Sequence, residues 1–170
     1  SVVGVIIMAG SLNFVDIVDG QAGNFWHWYF IPQVVGGLIF FVASLAELNR
    51  TPFDLPEGEQ ELVAGYLTEY SGMRWGMFMF SEYVNMVVVS AVISTLYFGG
   101  WRAPLEVLDF IPGPIWLFLK ICVFVFLYMW IRWTIFRYRY NQLMSMGWKI
   151  LLPLSILNLA VTAIIVSVTA

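Results

Sequence analysis

Four stretches of this chain, at 28–48, 75–98, 115–136 and 150–168, are apolar almost from end to end. Each holds about 19–24 residues, and a helix of about 20 covers the roughly 30 Å hydrocarbon core of a bilayer. None alternates with period two, so the pattern predicts membrane-spanning helices rather than barrel strands. A fifth apolar run, Ser1–Leu12, is too short to span and lacks the basic start of a signal peptide. It is expected to be the tail of a helix that begins upstream, which makes the chain part of a longer protein. Polar positions gather between the runs, with Pro52 and Pro56, Gly99-Gly100 and Pro112-Gly113-Pro114 as breaks. The expected fold is all-α: a polytopic transmembrane helix bundle of four full spans plus the end of a fifth, one membrane domain over 1–170, with an inner polar loop at 49–74.

Composition agrees with that pattern. Of the 170 residues 61% are hydrophobic and 11% charged, whereas soluble domains run at about 45–50% apolar and about 25% charged. A net charge of −3 without a basic patch argues against a nucleic-acid partner. One Cys and one His leave no His/Cys metal cluster, and Cys122, inside an apolar run, is expected to be a small buried filler. Arg50, Arg74, Arg132, Arg137, Arg139 and Lys149 flank the loops at 49–74 and 137–149, and only Arg102 and Lys120 fall on the other side. By the positive-inside tendency the first two loops face the cytoplasm, and the aromatic residues near the span ends form the interfacial belt.

Acidic residues depart from this simplicity. Five of the eleven, Glu47, Asp54, Glu57, Glu59 and Glu61, fall within fifteen positions beside Arg50. Asp54-Leu-Pro-Glu57 has the spacing of a capping box, so this segment also reads as a short, capped, solvated helix. Leu62-Val-Ala64, Tyr66-Leu67 and Tyr70 are too apolar for a free tether, however, and are expected to fold back onto protein at the membrane surface. Glu82 falls a third of the way into its span with Asn85 on the same face, and Glu47 ends its span with Ser44 one turn back. A charge at the centre of a span costs about 2.5–3.5 kcal/mol on insertion scales, and such residues mark ion or proton paths.

Three segments carry a resemblance. Ala46-Glu-Leu-Asn-Arg-Thr-Pro-Phe-Asp-Leu-Pro-Glu-Gly-Glu-Gln-Glu-Leu-Val-Ala-Gly65, Phe80-Ser-Glu-Tyr-Val-Asn85, and Arg137-Tyr-Arg-Tyr-Asn-Gln-Leu-Met144 with Trp148-Lys149 occur in that order. Together they resemble the quinone-site membrane subunit family of proton-pumping NADH:quinone oxidoreductase, respiratory complex I, from about its fourth helix to its C-terminus. Phe136 and Asn141 depart from the Pro and Asp usual in the third segment.

The resemblance implies a subunit that helps form a quinone tunnel and couples quinone reduction to proton translocation. It places Arg50, Asp54, Glu57 and Glu59 at the quinone site, and Glu47, Glu61, Glu69 and Glu82 on the coupling path. Quinone (ubiquinone or menaquinone) would be the substrate. No metal, flavin or iron–sulfur cluster is expected on this chain, which alone holds no complete active site. Peripheral quinone-site and iron–sulfur subunits, small membrane subunits and the lipid bilayer would be its partners, in a bacterial inner membrane, with the mitochondrial inner membrane as the alternative. The related membrane subunit of an ion-pumping hydrogenase or formate-oxidising complex is one alternative, although Phe53–Glu59 departs from the pattern of those relatives. A non-catalytic scaffold for the redox arm is another.

Overall fold

The computed structural model describes residues 1–23, 25–48, 52–53, 72–104, 108, 110–136 and 138–169. Their regular structure is helical throughout: α1 (Val2–Ala9), α2 (Phe14–Asp19), a 3-10 turn (Phe25–His27), α3 (Val34–Glu47), α4 (Met73–Tyr97), α5 (Gly113–Thr134), α6 (Tyr140–Met146), a π-helical turn (Gly147–Leu151) and α7 (Leu152–Thr169). Among the described residues three helices are long and apolar enough to cross a membrane: α4 with 25 residues, α5 with 22, and the continuous run Tyr140–Val168 with 29. The all-α bundle expected from the pattern is therefore what forms, with two boundaries moved.

The first movement traces to proline. The stretch 28–48 is helical only over the 14 residues Val34–Glu47, about 21 Å of helix, because Pro32 lacks an N–H and pushes Ile31 out of the helical region. Residues 28–33 form turns instead. The last helix begins earlier than 150, at Tyr140, and passes Pro153 by way of the π-helical turn at Gly147–Leu151. A proline ring clashes with the carbonyl four residues back, and a π turn widens the backbone there.

α4 is the central element, packed against α5, α3 and α2, while α7 packs on α1 and α3. It buries Met86, Val89, Ser90, Ile93, Ser94 and Tyr97, one stripe at helical spacing. Small residues in that stripe let helices approach closely. The Ser90 and Ser94 hydroxyls donate to the Met86 and Ser90 carbonyls, so neither carries an unmet polar group into the core. Tyr128 of α5 stacks on Phe41 of α3 with ring centres 5.0 Å apart. Cys122 lies exposed on α5 rather than buried, among the exposed side chains of Val123 and Phe126.

At the Gly99 end of the bundle a buried polar clip closes the structure. Gln21, fully buried, donates to the carbonyls of Ile17, Thr95 and Leu96 and accepts from the N–H groups of Tyr29 and Gly99. The ammonium of Lys120 donates to the carbonyls of Phe98, Gly100 and Arg102 at 2.6, 2.9 and 2.8 Å, and lies 4.7 Å from the centre of the Trp28 ring. Arg102 also pairs with Asp19 at 2.7 Å. A second polar lock joins α3 to α7, where Gln33 donates to the Thr162 hydroxyl at 2.7 Å and accepts from Asn158 at 3.1 Å.

Candidate functional site

The opposite end, where α3 stops at Glu47, holds the titratable chemistry. The C-cap residue Leu48 is buried and its N–H donates to the Ser44 carbonyl, which fixes the last turn and hence the root of the Glu47 side chain. Ser44, buried one turn back, donates its hydroxyl proton to the Phe41 carbonyl at 2.7 Å. That leaves the Ser44 oxygen to accept from the Tyr128 hydroxyl, also at 2.7 Å. The end of α3 is thereby tied to α5 inside the bundle.

Glu47 and Glu82 face one cleft. It encloses about 530 Å³ and is lined by Glu47 and Leu48 from the end of α3 and by Phe80, Ser81, Glu82, Val84, Asn85 and Val88 from α4. Glu82 is half-buried and Glu47 exposed. Glu82 lies nine residues past Met73, about 14 Å along the helix axis from its start. The helical spacing of Ser81, Glu82, Asn85 and Val88 turns all four toward the cleft. Two carboxylates, a carboxamide and a hydroxyl in one open cleft can pass protons between side chains and water. They can equally hold a cation-bearing group. Among the described residues there is no group of three or more His, Cys, Asp or Glu side chains placed to hold a metal ion.

The charged segment is anchored at its start. Phe53 is buried, and its ring centre lies 6.1 Å from that of Tyr138, whose N–H donates to the Pro52 carbonyl at 3.1 Å. Two of the three sequence segments are thus pinned together, one by Pro52-Phe53 and the other by Tyr138. Beside that contact, Arg139 is the N-cap of α6, and the Gln142 side chain accepts from its backbone N–H. Of the sequence-predicted site residues, Glu47 and Glu82 are brought together. Arg50, Asp54, Glu57, Glu59, Glu61 and Glu69 lie outside the described residues, as does Arg137.

Sequence reasoning missed Ser81 as a wall of the cleft and Tyr128 as the partner of Ser44. Ser81 was legible from its place beside Glu82. Tyr128 gave no signal, because its partner is 84 positions away.

Comparison with known proteins gives one answer. The family model described as NADH dehydrogenase matches residues 1–163. The chain is 52% identical to the NADH-quinone oxidoreductase H subunit of Rubrobacter xylanophilus, over 96% of this chain and 50% of that protein. It is 51% identical to the same-named protein of Deinococcus radiodurans, over 98% of this chain and 44% of that protein. The Brevibacillus brevis counterpart, again of that name, matches at 52%, over 98% of this chain and 49% of that protein. The chain spans about half the length of the curated relatives it matches.

Proposed function

The chain belongs to the NADH dehydrogenase family, and on that premise we propose that it works as the quinone-side membrane subunit of a proton-translocating NADH:quinone oxidoreductase. It is one membrane domain over 1–170, in a bacterial inner membrane, with loop 49–74 on the cytoplasmic side. Arg50, Asp54, Glu57 and Glu59 border the quinone tunnel; Glu47, Glu61, Glu69 and Glu82 carry the coupling to proton movement. Flavin and iron–sulfur cofactors belong to other subunits of the complex, and quinone is the substrate they reduce.

The observation that carries this reading is the single cleft shared by Glu47 and Glu82, together with the anchored start of the charged loop at Phe53. A carboxylate within a span persists only where polar neighbours or water meet it, and such a residue by default marks a proton or ion path. Quinone reduction consumes protons and removes or creates charge at the loop. A charge change there shifts the proton affinity of carboxylates a few ångströms away, because Coulomb interactions are strong in a low dielectric. The relatives' names favour this over the hydrogenase-type membrane subunit.

Glu82→Gln in the complete complex tests it. Expected is quinone reduction that continues with fewer protons moved per electron, measured in proteoliposomes with a pH-sensitive dye. An unchanged ratio removes Glu82 from the path. The scaffold reading has its own signature: neutralising Glu57 and Glu59 would then lower the amount of assembled complex and leave turnover per assembled complex intact.

A further inference from the structure

A second cleft at the Glu47 end opens between α4 and α5, with a volume of about 210 Å³. It is lined by Tyr83 and Met86 of α4 and by Tyr128, Met129, Arg132 and Trp133 of α5. Glu82 and Tyr83 are chain neighbours, yet they turn to different clefts, as successive positions about 100° apart on a helix do. The floor is closed, with Tyr128 and Met86 at 1% and 4% exposure, while the rim is open, with Tyr83 and Met129 both at 44% and Trp133 at 87%. The Tyr128 hydroxyl is engaged inward with Ser44, so its ring, not its polar tip, makes the floor.

We propose that this cleft binds one anionic phospholipid, its phosphate against Arg132 and an acyl chain against Met86 and Met129. Depth supports the assignment. Arg132 lies in the last turn of α5, two residues before its end at Thr134. Trp130 and Trp133 are exposed at the same level, where aromatic side chains mark the headgroup region. Charge supports it too: among the described lining residues Arg132 carries the only formal charge. One cation above an otherwise apolar wall matches a molecule with one anionic group and apolar chains. An acidic protein segment would meet Arg132 but would leave its own backbone polar groups against Met86, Met129 and Trp133. Basic pockets between spanning helices at the headgroup level are where anionic headgroups bind, and methionine adapts to a flexible chain.

The test uses the complete complex in vesicles of phosphatidylcholine carrying a trace of phosphatidylglycerol with a photoreactive acyl chain. After irradiation, adducts are mapped by mass spectrometry. Expected are adducts on the peptides holding Met86 and Met129, suppressed by unlabelled phosphatidylglycerol and not by added phosphatidylcholine. R132Q should lower them roughly fivefold, the effect of one basic contact at an anionic surface, and R132K should retain most of them. Should R132Q fail to assemble, Met129→Glu places a negative charge on the rim and carries the same expectation. Equal labelling by a photoreactive phosphatidylcholine overturns the proposal. So does labelling indifferent to these substitutions, or cross-linking of the cleft to a neighbouring subunit in place of lipid.

Discussion

Lys120 shows how a single charged side chain is tolerated in a spanning helix. Its ammonium satisfies three carbonyls at the point where α4 ends and the chain turns through Gly99 and Gly100. Hydrogen bonds from a charged group are worth about 1.5–3 kcal/mol each, and a carbonyl left unmet costs its desolvation. Lys120→Met should therefore destabilise the bundle by about 3 kcal/mol or more, read as an earlier midpoint when the assembled complex is unfolded in denaturing detergent. Tyr128→Phe is the milder case. Ser44 keeps its bond to Phe41, so the loss should be about 1 kcal/mol by the same assay. A shift as large as that of Lys120→Met would show that Tyr128 carries more of α3 than this one bond.

Among the helices, the hydrophobic pattern located α4 and α5 to within two residues of where they run, because length and apolarity alone decide a span. It misplaced the start of α3, since Pro32 acts through local backbone geometry that an average over twenty residues hides, and the start of the last helix, whose first turn is polar and capped by the Gln142 side chain on the Arg139 N–H. Interhelical contacts were not legible at all. Ser90 and Ser94 read as ordinary small residues of an apolar run, yet both are fully buried and set how closely neighbouring helices approach α4. Ser90→Ala should change unfolding by less than about 1 kcal/mol, whereas Ser90→Leu forces extra volume into a closed interface and should cost about 1–3 kcal/mol. A similar contrast applies between helices. Gly99 has a φ of 69°, and a Cβ there would lie 2.8 Å from Trp28 Nε1. Gly99→Ala thus combines a left-handed backbone with a clash, and should destabilise by about 1–2 kcal/mol from the backbone alone.

At the scale of the whole molecule, the described residues make two ends of different character. Among the described residues, the Gly99 end is clipped by Gln21, Lys120 and the Arg102–Asp19 pair, whereas the Glu47 end shows two clefts and the anchored start of the charged segment. Glu47 and Glu82 were each visible in the sequence as acids within or bordering apolar runs. That they meet was not, because 35 positions separate them and only the packing of α3 on α4 joins them. Independent carboxylates would add their effects on proton translocation when both are changed, since distant sites are additive and neighbours are not. Carboxylates on one path act in series, so once Glu47→Gln has interrupted it, Glu82→Gln has little left to remove. The double substitution should therefore lower protons moved per electron no further than the stronger single one, while each single variant still reduces quinone. Proteoliposome measurements on the three variants decide this. Additive losses would mean that the shared cleft is a place where two separate groups happen to reach water, and not one route.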